Sequence, residues 1–172
     1  MSAYKYAKAI FDHGRGKGQL DEVSRQMNSF CKMIRGNDDF RAVFFNRWLD
    51  KSRKTAMIRE YLKGSHGFDD FIALLIRRNM ESTLFDIQES FFKLMDAEKG
   101  ILRGSLEYVK PLPDDYCERI EAMLSKKTGK TVKLENIKVP DLIGGVRVRV
   151  GDTVYDGSLK GMLKDMSVHL KN

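Results

Sequence analysis

The sequence predicts an α+β protein: an N-terminal six-helix bundle followed by a small C-terminal α/β domain with a short sheet and two helices. Three observations carry that prediction. Apolar residues recur at helical spacing from residue 3 to about residue 100, interrupted by short Gly, Asn or Asp clusters. At Ile101 the pattern changes, and Leu102, Ser105, Leu106, Tyr108 and Val109 suit an extended segment. Near the C-terminus, Val146, Val148 and Val150 alternate with Arg147 and Arg149, which gives a strand one apolar and one basic face. The boundary between the halves is placed at residues 104 and 105.

In order along the chain, Ala3, Tyr6, Ala7, Ile10 and Phe11 make the first helical stripe, ended by Gly14-Arg15-Gly16-Lys17-Gly18. Leu20, Val23, Met27, Phe30, Cys31 and Ile34 make the second, ended by Gly36-Asn37. A short third helix is centred on Phe40, Val43 and Phe44. Asp50 or Ser52 can cap a fourth, with Ala56, Met57, Tyr61 and Leu62 as its apolar residues and Gly64 as its stop. Asp69 opens a fifth with Phe71, Ile72, Leu74 and Leu75, and Leu84, Ile87, Phe91, Leu94 and Met95 give a long sixth. Helices of this length are marginal alone, so their apolar faces must pack together.

After Lys110-Pro111-Leu112-Pro113, Asp114 and Asp115 stand at the positive end of a helix carrying Tyr116, Ile120, Met123 and Leu124, with Lys126 and Lys127 at its negative end and Gly129 as its stop. Thr131 to Glu135 alternates as a strand. Gly151-Asp152 is a two-residue hairpin turn, and Thr153-Val154-Tyr155 returns as the partner strand. A terminal helix follows, with Asp156 or Ser158 as its cap and Leu159, Met162, Leu163, Met166 and Leu170 on one face.

Composition excludes several classes of protein. In 172 residues, 31 Lys and Arg face 24 acids, and the excess is spread through the chain with no basic tail. The longest apolar run, Phe71 to Ile76, is far too short for a membrane span of roughly 20 residues. The N-terminus interleaves lysines with apolar residues, unlike a secretory signal. Cys31 and Cys117 are far apart, and His13, His66 and His169 are isolated, so neither a disulfide framework nor a metal site is expected.

Reactive constellations are missing as well. Thr128-Gly129-Lys130-Thr131 copies the end of a phosphate-binding loop, but Leu124 occupies the position of its first glycine and a strand follows where a helix is required. Gly14-Arg15-Gly16-Lys17-Gly18 fails the dinucleotide pattern because Gln19 replaces the last glycine. The pairs Asp38-Asp39, Asp69-Asp70 and Asp114-Asp115 fall at helix starts, where their charge offsets exposed amides. No catalytic residue and no cofactor is therefore expected. A basic helical RNA-binding module is the alternative, since Arg41, Arg47, Lys51, Arg53, Lys54, Arg59 and Lys63 surround Trp48; the solvated face of two helices explains the same cluster.

The block from Leu142 to Gly161, with its valine-arginine hairpin, resembles the C-terminal signature of the delta subunit of rotary ATP synthases, which mitochondria call the oligomycin-sensitivity-conferring protein. Tyr6-Ala7-Lys8-Ala9-Ile10-Phe11 is similar to that family's opening, as are Leu20-Asp21-Glu22-Val23 to its second helix and Phe71 to Leu75 with Leu84 to Phe91 to its fifth and sixth. Val139-Pro140-Asp141 departs from the family's commoner Asp-Pro-Ser order. The resemblance implies a non-catalytic connector. Its bundle (1–104) would receive the N-terminal helix of an alpha subunit in a groove between the first and fifth helices, and its C-terminal domain (105–172) would grip the b-subunit peripheral stalk. By position, Tyr6, Ile10, Leu75 and Arg78 are the groove candidates. It further implies no nucleic acid, membrane contact only through partners, and a place on the cytoplasmic side of the bacterial inner membrane; Met1 stands just ahead of the first family helix, so a bacterial protein is expected over an organellar precursor.

Overall fold

The computed structural model describes residues 3–62, 67–113, 115–142 and 144–158. The chain forms two compact units, Met1–Met95 and Asp96–Asn172. The division falls ahead of the residue 104 boundary read from sequence, because Met95 is the last buried apolar residue of its helix and Asp96 to Lys99 add none to the bundle core.

The first unit holds α1 (Ala3–Gly16), α2 (Leu20–Gly36), α3 (Asp38–Phe45), α4 (Lys51–Tyr61), α5 (Phe68–Arg77) and most of α6 (Leu84–Glu98), with a 3-10 turn at Glu81–Thr83 before α6. Two of the starts have a side-chain cap. The Asn37 side chain accepts from the Phe40 amide at 2.9 Å to open α3, and Asp50 accepts from the Arg53 amide at 3.0 Å to open α4. On α2, Val23, Met27, Phe30, Cys31 and Ile34 fall on one stripe and all are buried. On α5, Phe68, Phe71, Ile72, Ala73, Leu75 and Ile76 are buried, so this helix runs through the core. Phe30 is the centre of an aromatic cluster, edge-on to Phe40, Phe44 and Phe68 at 6.2, 5.6 and 5.9 Å between ring centres. Each such ring contributes about 1.5–3 kcal/mol by leaving water, and its edge-to-face neighbours add to that.

Within the bundle, α4 departs most from its sequence reading. Ala56, Met57 and Tyr61, expected on its inner face, are exposed, the latter two at 48% and 52%; Leu62 is buried as expected, joined by Lys54 and Ile58, and the expected stop at Gly64 lies outside the described residues. Lys54, counted in the solvated basic cluster, is a core residue. Its ammonium donates to Glu81 Oε1 at 2.9 Å and to the Asn46 carbonyl at 2.8 Å, so a buried cation is matched by a buried carboxylate from another element. That pairing lets a lysine hold a position at i, i+4, i+8 with Ile58 and Leu62.

The second unit is a four-stranded sheet in the order β2-β1-β3-β4, covered by one helix. Strand β1 (Ile101–Tyr108) pairs in parallel with β2 (Thr131–Lys138) across α7 (Tyr116–Thr128), and antiparallel with β3 (Gly145–Val150). Strand β3 turns through Gly151, at a φ of 56°, into β4 (Thr153–Ser158). As expected, α7 stops at Gly129. Leu106, Val132, Val148 and Val150 of the sheet meet Leu124 of α7 to form its core. The alternation holds, with Arg147 bridging Glu107 at 3.4 Å and Asp156 at 3.9 Å across the other face. Asp156 and Ser158, expected to cap a terminal helix, instead continue β4 opposite Arg147 and Gly145. The helix expected from Leu159 onward lies outside the described residues.

Candidate partner-docking grooves

Tyr6 and Arg78, named from sequence, meet in the first unit. They line a recess of about 260 Å³ between α1 and the end of α5, with Lys5, Ala9 and Leu74. Ile10 and Leu75 do not reach it. They are 4% and 0% exposed and belong to the aromatic core beneath. The difference is angular: Ala7, Ile10, Phe11 and Gly14 point inward from α1, while Lys5, Tyr6 and Ala9 lie along the flank of that stripe. The recess thus has an apolar floor of Tyr6, Ala9 and Leu74 and a positive rim of Lys5 and Arg78. Sequence reasoning missed Lys5 and Ala9, whose signal was their place one step off the stripe. Leu74 it had assigned to the fifth helix without a site.

In the second unit a recess of about 340 Å³ lies between α7 and the β3–β4 hairpin. Tyr116, Ile120 and Met123 form one wall, and Val146, Val148 and Tyr155 the other. Lys127 crosses one end, its ammonium 4.9 Å from the centre of the Tyr155 ring.

Neither recess carries reactive groups. Among the described residues no three His, Cys, Asp or Glu side chains come together as a metal site. Burial pushes the Cys31 thiol up to about 12, and desolvation followed by the Glu121 charge raises Cys117, so both are neutral thiols at ordinary pH and poor nucleophiles. Among the described residues no helix is long and apolar enough to cross a membrane. Thr131 begins β2, so the phosphate-loop lookalike precedes a strand. Each unit thus presents a recess with apolar walls, the kind of concave surface on which another chain can dock.

Comparison with known proteins gives the family. The profile described as ATP synthase delta (OSCP) subunit matches residues 3–170. An ATP synthase subunit delta of Symbiobacterium thermophilum is 31% identical over 98% of this chain and 91% of its own length, and one of Coxiella burnetii is 33% identical over 98% and 96%. A chain of the Toxoplasma gondii mitochondrial ATP synthase hexamer, 18% identical, shares the fold with a TM-score of 0.74 over 100% of this chain and 98% of that one. A chain of the Polytomella F-ATP synthase does so with 0.54 over 58% and 90%, at 19% identity. The chain belongs to the ATP synthase delta (OSCP) subunit family, whose members are structural, non-catalytic subunits of the complex.

Proposed function

We propose that this chain is the peripheral-stalk connector of an F-type ATP synthase, holding the catalytic head to the b-subunit stalk. The observation that carries this reading is the family match over residues 3–170 on a chain with a recess in each of its two units that suits a docked helix. The α1–α5 recess is the seat for the N-terminal helix of an alpha subunit. An amphipathic helix would lay apolar residues spaced i, i+3, i+4, i+7 on Tyr6, Ala9 and Leu74, with Lys5 and Arg78 meeting its acidic side chains. The apolar recess of the second unit suits the ends of the b-subunit helices.

The mechanism is resistance to torque. Rotation of the central shaft drags the head with it, and a connector bound at both ends keeps the head still, so that ion flow is converted to ATP. The chain acts on the cytoplasmic side of the bacterial inner membrane and meets the membrane through partners alone. Tyr6→Asp with Arg78→Glu tests the placement, because both residues are at the surface of a folded bundle. The double variant should keep its helical circular dichroism while losing at least about tenfold in affinity for an alpha-subunit N-terminal peptide; unchanged affinity in folded protein would remove the alpha helix from this groove.

A further inference from the structure

A second surface of the bundle is left over by that reading, and it does not touch the α1–α5 recess. Between α4 and α5 lies a depression of about 500 Å³ with a floor of Ser52, Thr55, Ala56 and Ala73 and a rim of Lys51, Arg59 and Arg77. On the opposite flank of α4, Arg53, Met57 and Tyr61 follow one another at i, i+4, i+8 and are exposed. At the head of the helix stands Trp48, 97% exposed. Tryptophan, tyrosine, methionine and arginine together on an open surface are the residue types that protein interfaces concentrate.

The placement of Trp48 is fixed from below. Its turn is tied into the core by the Lys54 ammonium on the Asn46 carbonyl, and the Trp48 amide donates to Asn46 Oδ1 at 2.9 Å. Three of the neighbouring acids are committed to the fold: Asp50 caps α4, Asp70 holds Arg59 at 2.6 Å, and Glu81 answers Lys54. Among the described residues, Arg47, Arg53 and Arg77 form no ion pair. The outward half of α4 therefore offers an excess of cations over acids beside apolar anchors, with Glu60 as the exposed acid on that helix.

We propose that the outward face of α4, with Trp48 at its head, is a second docking surface, and that its occupant is an acidic polypeptide segment bearing apolar residues beside its carboxylates. Charge complementarity selects the acid, since Arg47 and Arg53 on one flank of α4 and Arg77 on the other carry guanidinium groups without an ion pair, and carboxylates accept them in bidentate geometry. The apolar side chains then cover Trp48 and Met57. Single-stranded nucleic acid fits less well: stacking of successive bases needs a row of exposed rings along a groove, whereas Trp48 and Tyr61 stand at opposite ends of α4 and Tyr61 already leans on Phe40 at 5.9 Å.

Trp48 is the single tryptophan in the sequence, so its emission reports the surface directly. The full chain is titrated at low ionic strength with a synthetic helical peptide carrying glutamates on one face and leucines beside them. Saturable movement of the emission to shorter wavelength is expected, with no response to the same peptide carrying glutamine for glutamate. Arg53→Gln with Arg77→Gln should weaken binding about tenfold, whereas Tyr6→Asp, in the other groove, should leave it unchanged. An absent shift, an equal response to the glutamine peptide, or displacement of the peptide by a single-stranded RNA at lower concentration would each overturn the assignment.

Discussion

The bundle and the sheet unit are stabilised in opposite ways. The bundle turns one stripe of each helix, and most of α5, against a shared aromatic centre, so its order comes from side chains, and it even accommodates a lysine there by supplying Glu81. Among the described residues the sheet unit has a smaller buried apolar cluster, Leu106, Leu124, Val132, Val148 and Val150, beside an apolar recess, so much of its order comes from backbone pairing along β1. A deep core tolerates an irregular surface, while a thin core leaves apolar area that a neighbouring chain can cover.

The sharpest way to break this contrast is at Glu81. Replacing it by Ala leaves the Lys54 ammonium buried without its carboxylate, and the bundle should lose about 3–5 kcal/mol in urea unfolding. Lys54→Met with Glu81→Leu, which removes both charges and keeps the volume, should restore most of that; a double variant as unstable as the single would mean that packing, not charge, was lost.

A smaller effect is expected at Gly104 in β1. A Cβ there would press on the Arg149 carbonyl oxygen and lie 2.9 Å from methyl groups of both Leu134 and Val150. Gly104→Ala should destabilise the sheet unit by about 1–3 kcal/mol, seen as faster amide exchange in β1 and β3 with the exchange of α2 and α5 unchanged. Accelerated exchange in both units would show that they do not unfold separately.

The mildest test is the pair of thiols. In native protein Cys117 should react with a disulfide reagent and Cys31 only after unfolding. The Cys31 thiol ionises at about 12 in the folded chain against 9.0 for an ordinary thiol, so its contribution is complete below pH 9 and disappears as pH rises towards 12. Bundle stability that stayed flat across that interval, or equal labelling of the two cysteines, would place Cys31 outside the core.

Most of this architecture was readable because one periodicity dominated each segment. Val23 to Ile34 named the inner face of α2 without error, and Val146, Val148 and Val150 fixed both the strand and its buried side. Lys54 was misread because hydropathy counts lysine as solvent-facing, and the residue that reverses this lies 27 positions away. The strand reading ended early at Tyr155 because Asp156 and Ser158 are residue types that cap helices, and only the pairing of Asp156 and Gly157 with Arg147 and Val146 shows otherwise. The α1–α5 recess was half legible. Spacing identified the two helices and the approximate level, which placed Tyr6 and Arg78, but it gives direction around a helix and no depth, so Ile10 and Leu75 were grouped with them.

The way the chain passes from α6 into β1 has a mechanical consequence. Only Lys99 and Gly100 separate helix from strand, and β1 is an interior strand with a hydrogen-bonded neighbour on each side. A tensile pull arriving from α6 therefore enters the sheet at its best-anchored strand. There the load is shared between the hydrogen bonds to β2 and those to β3, whereas an edge strand would have bonds on one side alone to carry it.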